Sequence, residues 1–367
     1  MTRARLAAAS TVLATAAALL LAGCTGGGTT SQAASSTTTT TTQPSGGGAA
    51  LSLQQNYIQV VHNVRPSVVQ ITTPSGLGSG IVYDTKGDIV TNDHVVGQNK
   101  TVSVQFISGQ KVNATVVGSF PGDDLAVVKV QHVDPKDLHP ATFDNSASVQ
   151  VGQIVLAIGN PLAFSSSVTN GIVSGVGRTV VEPQGAPSPG GVIANAVQTS
   201  APINPGNSGG ALVGLNSKVI GIPTLAAVDP QIGGAAVGIG FAIPANTVKD
   251  IASQLIKYGH VVNTHRADLG ILAFPVVNPM GQPAGIGVEK LLNPSPAGQA
   301  GIRSGDVIVA INGVPTKTTA DLQKELAQLK PGEQAKVSIV RKDGSKATVT
   351  VTLGTLPGNA GTPPTGP

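Results

Sequence analysis

The chain has 367 residues and a formal charge of +4, with 11% charged and 2% aromatic side chains and no Trp. That length suggests two or three domains, and a charge so small and so evenly spread argues against nucleic acid as a partner. The single cysteine, Cys24, excludes an internal disulfide framework and a multi-cysteine metal site, and the six histidines show no metal-ligand spacing, so no metal and no other cofactor is expected.

Arg3 and Arg5 open the chain, followed by an apolar run from Leu6 to Ala22, the layout of a secretory signal. The run ends in Leu21-Ala22-Gly23-Cys24, which resembles the lipobox of bacterial lipoproteins, in which the cysteine carries lipid and becomes the first residue. The expectation is a signal over 1–23 and a chain held at a membrane through lipidated Cys24. An uncleaved signal anchor is the alternative. Either way the remainder belongs outside the cytoplasm. Residues 25–50 are mostly Thr, Ser, Gly and Ala, too polar and small to bury a core. They read as a flexible tether reaching about 25–30 Å on average. Residues 354–367, rich in Gly and Pro, read as a second disordered tail.

From 51 onward the pattern changes. Tyr57, Val60, Val61 and Val64 share one side of a helix expected over 53–64, which Pro66 stops. Short Val- and Ile-rich segments follow at 68–72, 80–83, 88–91, 101–107, 111–118, 125–130, 154–158, 168–176, 192–199 and 219–223, separated by Gly, Pro, Asp and Asn. Many short strands with such turns predict a mainly β sandwich or barrel. Residues 248–256 place Val248, Ile251, Ala252, Leu255 and Ile256 on one face of a helix that Gly259 ends.

Three places in this region can carry chemistry. Thr91-Asn92-Asp93-His94-Val95-Val96 puts a histidine at a strand end, where it can serve as a general base. Taken alone such a histidine is more often structural. Asp123-Asp124-Leu125-Ala126 leads a carboxylate into a buried strand, where it can orient an imidazole or simply cap a turn. Asn204-Pro205-Gly206-Asn207-Ser208-Gly209-Gly210 sets a serine among small residues that leave room for a substrate backbone and allow two N–H groups to converge. A polar surface turn is the plain alternative for that heptapeptide. Together the three give the chain order His94, Asp124, Ser208, which is the order of the chymotrypsin-like triad. Gly206-Asn207-Ser208-Gly209-Gly210 also fits the nucleophile elbow of α/β-hydrolases. That elbow needs a helix straight after the serine and a catalytic histidine downstream, whereas a hairpin-like segment follows here and His260 and His265 lie in a linker.

The motifs T-N-x-H-V-V, D-L-A-V-x-K, A-I-G-N-P, G-I-V-S, P-G-N-S-G-G-A-L and G-I-G-F-A-I-P resemble those of the HtrA (Deg-type) serine proteases over about 53–353. The resemblance implies a chymotrypsin-like double β-barrel protease domain over 51–260 and a PDZ domain over 266–353. It implies a nucleophile at Ser208, a base at His94 and an orienting acid at Asp124, which it favours over Asp123. The N–H groups of Gly206 and Ser208 would form the oxyanion hole, with Asn207 shaping the turn between them. Ile203, Thr224, Leu225 and Ala226 would line the primary pocket. No acidic residue occurs in 201–207, so a small aliphatic P1 residue is expected rather than Lys or Arg. Residues 178–191 and 226–238 resemble the family's long regulatory loops. Two departures stand out: Asp93 where Ala is common and Ser200 where Asp is usual.

In the second domain, Asp268-Leu269-Gly270-Ile271 resembles a PDZ carboxylate-binding loop, and Thr318 with Asp321 forms a capping box ahead of a helix carrying Leu322, Leu326 and Leu329. Arg266 is read as a solvated surface arginine, with added charge for the groove as the second option. The function implied is an ATP-independent extracytoplasmic endopeptidase for unfolded or damaged proteins, whose PDZ domain binds C-terminal peptides. A chaperone-like binder and a regulatory protease that cuts one partner are the alternatives. Family members are commonly trimers, so a homotrimer is expected.

Overall fold

The computed structural model describes residues 46–160, 167–181, 192–204, 206–229 and 234–358, with the side chains of 46, 47, 49, 181, 225–229 and 234–237 excepted. The expected signal, Cys24 and nearly all of the expected tether lie outside the described residues. Helix α1 (Gly46–Val64) begins within the stretch read as tether, earlier than the apolar pattern alone indicates. Among its described side chains, Val60 and Val64 are fully buried and Tyr57 and Val61 pack beside them.

Six strands follow: β1 (Val68–Thr73), β2 (Gly76–Val82), β3 (Asp88–Thr91), β4 (Thr101–Gln105), β5 (Lys111–Phe120) and β6 (Leu125–Val130). They close into a barrel in the order β1-β2-β3-β6-β5-β4, every pair antiparallel. A single helical turn, α2 (Asp93–Val96), leaves the end of β3. A second closed barrel is built from β7 (Ile154–Gly159), β8 (Ser167–Val181), β9 (Val192–Thr199), β10 (Ala211–Gly214), β11 (Val219–Asp229) and β12 (Gly234–Pro244), ordered β10-β11-β12-β9-β8-β7. Of residues 226–238, expected as a long loop, 226–229 and 234–238 instead extend the β11–β12 ribbon, which pairs as far out as Asp229 with Gly234, while 230–233, like 182–191 of the other expected loop, lie outside the described residues.

The two-residue period of a strand explains why these sequences are apolar on both faces. Along β6, Ala126, Val128 and Val130 enter the first barrel's own interior. The intervening Leu125 and Val127 enter a second core that also takes Leu156 and Ile158 of β7, Ala211 and Val213 of β10, and Val64 of α1. Their neighbours Val155, Ala157 and Leu212 fill the second barrel. Each fully buried Val, Leu or Ile contributes roughly 1.5–3 kcal/mol, so the shared core fixes the barrels against each other. Helix α3 (Ala245–Tyr258) lays Val248, Ile251 and Leu255 on that core and ends where Gly259 takes the left-handed conformation, φ 74°.

The remaining chain forms a separate core. Strand β13 (Ala267–Asp268) pairs with β20 (Gly354–Thr355), so the stretch read as a tail opens with a paired strand. A sheet in the order β14-β15-β16-β18-β19 comprises β14 (Ile271–Val277), β15 (Pro283–Leu291), β16 (Val307–Ile311), β18 (Gln334–Val340) and β19 (Lys346–Thr352), with β17 (Val314–Pro315) beside β16. Two helices complete it, α4 (Pro296–Gln299) and α5 (Thr319–Leu326). The capping box forms as the sequence implies: Thr318 accepts from the Asp321 N–H, and the Asp321 carboxylate accepts from that of Thr318. Among the described residues, no helix is long and apolar enough to cross a membrane.

Candidate active site

His94 sits on α2, placed by a strand that ends in Thr91. The Thr91 hydroxyl donates to the Ser79 carbonyl at 2.7 Å and the Asn92 amide donates to the Asp124 carbonyl at 2.9 Å. Asp124 follows a 3₁₀ turn in the left-handed region, φ 51°, where Asp is tolerated better than most residues. It is fully buried. Its carboxylate accepts from the His94 backbone N–H at 3.0 Å and lies 2.8 Å from His94 Nδ1. An ionised carboxylate only accepts, so Nδ1 carries the proton of this bond, and in the neutral form of the ring the lone pair then falls on Nε2. A second donor comes from the other barrel: the Thr224 hydroxyl hydrogen-bonds Asp124 Oδ2.

Ser208 belongs to a tight turn ahead of β10. Strand, not helix, follows it, which removes the nucleophile-elbow reading. Its Oγ donates to the Thr224 carbonyl at 3.4 Å, so Thr224 touches Asp124 with its side chain and Ser208 with its backbone. Gly206 has φ 102° and Gly209 φ 80°, both open to glycine and strained for other residues. Space demands glycine as well. A Cβ on Gly209 would meet the Ser79 carbonyl oxygen at 2.1 Å, and one on Gly210 would meet that of Ile158 at 2.4 Å. The Asn207 N–H donates to the Asn204 carbonyl at 3.0 Å, so Asn207 shapes the turn. The N–H groups of Gly206 and Ser208 meet no acceptor among the described residues.

The neighbouring carboxylate, Asp123, faces elsewhere. Arg266 is mostly buried, with 12% of its side chain exposed, and pairs with Asp123 while also donating to the carbonyls of Gly122, at 3.1 Å, and Val192. It is therefore not the solvated arginine expected from the sequence. Burial pushes the Asp123 carboxyl up, against the opposing pull of Arg266. Asp93 is buried as well, and burial pushes its carboxyl up to about 6; Asp124 adds to that rise, while the Ser119 hydroxyl and His94 oppose it. The other departure has a plain account: the Ser200 hydroxyl accepts from the Ile172 N–H at 3.0 Å, a bond an aspartate at this position could also accept.

Of the expected pocket residues, Ile203 is buried against Gly240, where a Cβ would meet its side chain at 2.5 Å. Thr224 is buried and turned toward Asp124. The side chains of Leu225 and Ala226 lie outside the described residues. In the second domain, a cavity of about 410 Å³ lies between β14 and α5, lined by Ile271, Ala273, Leu322 and Leu326 and also by Phe120 and Val192 of the barrels. Asp268 and Leu269 line its end. Burial raises the Asp268 carboxyl, and the Gly270 and Leu269 backbone N–H groups, part of the expected carboxylate-binding loop, pull it back.

Residues 78–222 match the model of a trypsin-like peptidase domain and residues 261–353 that of a PDZ domain. The periplasmic serine endoprotease DegP of Escherichia coli K12 is 38% identical over 284 residues, 76% of this chain and 56% of DegP. The periplasmic pH-dependent serine endoprotease DegQ of the same organism is 36% identical over 287 residues, 76% of this chain and 60% of DegQ. The chain thus spans little more than half the length of these curated relatives. Among solved structures, the serine endoprotease from Yersinia pestis is 34% identical with a TM-score of 0.55, covering 82% of this chain and 98% of that one. The HtrA-type protease AlgW with tripeptide is 32% identical with a TM-score of 0.55, over 82% and 97%.

Proposed function

Because the chain belongs to the HtrA-type serine proteases, we propose that it is an ATP-independent endopeptidase that cleaves unfolded or damaged proteins outside the cytoplasm. Ser208 Oγ attacks the peptide carbonyl. His94 Nε2 takes the serine proton and returns it to the leaving amine, while Asp124 keeps the imidazole in that tautomer and stabilises its charged form. The observation that carries this reading is the His94–Asp124 pair at 2.8 Å, joined through Thr224 to a serine whose turn leaves the Gly206 and Ser208 N–H groups without an acceptor among the described residues. Two such donors aimed at one point suit the oxygen of a tetrahedral intermediate, where charge develops only in the transition state.

A small aliphatic P1 residue fits the buried Ile203 and the lack of an acidic residue in 201–207. The apolar groove between β14 and α5 suits an extended C-terminal peptide added beside β14, an edge strand of its sheet. Lipid anchorage through Cys24 and assembly as a trimer complete the proposal. They rest on the lipobox-like motif and on the family, respectively.

The test is cleavage of a permanently unfolded protein by the chain and by its Ser208→Ala variant. The expected loss of turnover is about 10⁶-fold. Retention of most activity would remove Ser208 as nucleophile. The fragments of the wild-type digest report P1, and cuts dominated by Lys or Arg would overturn the pocket assignment.

A further inference from the structure

Ser79 lies on β2 of the first barrel, fully buried, in the short run Gly78-Ser79-Gly80. Its polar groups reach toward the serine turn and the end of β7 in the other barrel, or toward the strand that leads into α2 and His94. Its backbone N–H donates to the Ser208 carbonyl at 2.9 Å, and its carbonyl accepts from the Thr91 hydroxyl at 2.7 Å. Its hydroxyl is used in both directions, donating to the Gly206 carbonyl at 2.6 Å and accepting the Asn160 N–H at 2.8 Å.

We propose that Ser79 is a positioning residue for the oxyanion hole, its hydroxyl fixing the plane of the Gly206–Asn207 peptide so that the Gly206 and Ser208 N–H groups converge. Gly206, at φ 102°, has no side chain to restrict its rotation, so its sterics do not select the productive orientation. The peptide is instead pinned at its two ends: Ser79 holds the carbonyl and the Asn204 carbonyl holds the Asn207 N–H at 3.0 Å. Gly159 permits this close approach, since a Cβ there would lie 2.7 Å from the Gly206 oxygen. The donors on either side of that peptide follow its orientation. The hydroxyl also crosses between the barrels, tying the turn in the second barrel to the strand pair that supports His94. Without it the Gly206 carbonyl and the Asn160 N–H, both buried, lose their partner.

The proposal rests on the reading of Ser208 as nucleophile, and its signature is kinetic. The hole's donors act on the tetrahedral oxygen and hardly at all on the ground state, so a misplaced hole lowers kcat and leaves KM in place. Loss of one oxyanion donor outright costs about 10²–10³-fold in kcat, and a loosened one is expected to cost about 10–100-fold. The experiment uses the full chain with Ser79→Ala, an unfolded protein substrate, and a fluorophosphonate probe whose phosphoryl oxygen occupies the same hole. Expected is a fall of about 10–100-fold in kcat and a similar fall in labelling rate, with KM little changed and the melting temperature lowered by several degrees but the fold kept. A folded Ser79→Ala variant with kcat and labelling within about twofold of wild type overturns the proposal, as does a rise in KM at unchanged kcat. If Ser79→Ala does not fold, Ser79→Thr and Ser79→Val form an isosteric pair with and without the hydroxyl. Higher labelling by the Thr variant supports the proposal, and equal labelling overturns it. Ser208→Ala, run alongside, separates the two readings: its inactivity with normal Ser79 variants removes only this inference, whereas its retained activity removes the nucleophile assignment itself.

Discussion

The two barrels hold their shares of the proposed catalytic constellation by different means. In the first, Asp124 and His94 are fixed by side-chain hydrogen bonds: one carboxylate accepts from the His94 ring, the His94 N–H and the Thr224 hydroxyl. In the second, the turn of Ser208 is fixed mainly by backbone, with the Ser79 hydroxyl added at the Gly206 carbonyl. The turn closes through the Gly210 N–H on the Asn207 carbonyl and the Gly209 N–H on that of Pro223, and glycines fill places where no Cβ fits. A site held by hydrogen bonds to a carboxylate can be weakened one donor at a time. A site held by steric exclusion tolerates glycine or fails. The acid half is therefore where graded substitutions are informative.

The largest effect expected there comes from Asp124→Asn. The amide keeps the size of the carboxylate but presents a donor as well as an acceptor, so it can hold the imidazole in the wrong tautomer with the lone pair on Nδ1. A fall in kcat of about 10⁴-fold is expected, with KM little altered. The companion Asp123→Asn variant sharpens the contrast. Asp123 meets Arg266 rather than His94, so its loss should leave the pH dependence of the base unchanged. A large fall in kcat for the Asp123 variant with near-normal kcat for Asp124→Asn would reverse the assignment of the two carboxylates.

The difference between the halves also governs what the sequence discloses. The serine half is spelled out locally, because steric exclusion demands glycine at fixed offsets and Gly206-Asn207-Ser208-Gly209-Gly210 records those demands. The double barrel is legible for a related reason, since strands such as β6 alternate between two apolar environments and read as short Val- and Ile-rich runs. The side-chain hydrogen bonds that join distant segments, on either half, are not local. Thr224 is 100 residues from the aspartate it meets, Ser79 is 127 from Gly206, and Arg266 is 143 from Asp123. Nothing in the neighbourhood of Arg266 distinguishes it from a surface arginine, because its partner is supplied by the other domain. The extension of β11 and β12 is hidden for another reason: Gly and Ala in 226–229 and 234–238 weaken strand propensity, and barrel pairing overrides it. The Gly78-Ser79-Gly80 run is the one available sign of a close approach near the serine.

Asp93 tests the acid half through charge. Burial holds its carboxyl at about 6 in the folded chain against an ordinary 3.8, so folding disfavours its ionised form. The folded state therefore binds this proton more tightly than the unfolded state does. The resulting stability is fully present below about 3.8 and is lost as pH rises through about 6. At neutral pH the ionised group is a burden of up to about 3 kcal/mol, the free-energy equivalent of that rise. Asp93→Asn should accordingly raise the stability to urea at about pH 7.5, by at most that amount, and change it far less at about pH 4. It should also flatten the stability slope between those limits. An equal change at both pH values would mean that packing, and not titration, governs the site.

Thr224→Val gives the smallest expected effect and decides between the two roles available to that residue. The sequence places Thr224 on the pocket wall, whereas its buried hydroxyl meets Asp124. Valine preserves the shape and the backbone carbonyl that accepts from Ser208, and removes only the hydrogen bond to the carboxylate. A charge-assisted bond of this kind contributes about 1.5–3 kcal/mol, but Asp124 keeps its two bonds to His94, so only part of that should reach the transition state. The expected result is a fall in kcat of about tenfold with KM unchanged, the lower end of that range. A changed KM with normal kcat would instead return Thr224 to the pocket, leaving the orientation of Asp124 to His94 alone. The two outcomes differ because substrate contacts are made before the reaction begins, whereas the aspartate matters most when His94 becomes charged.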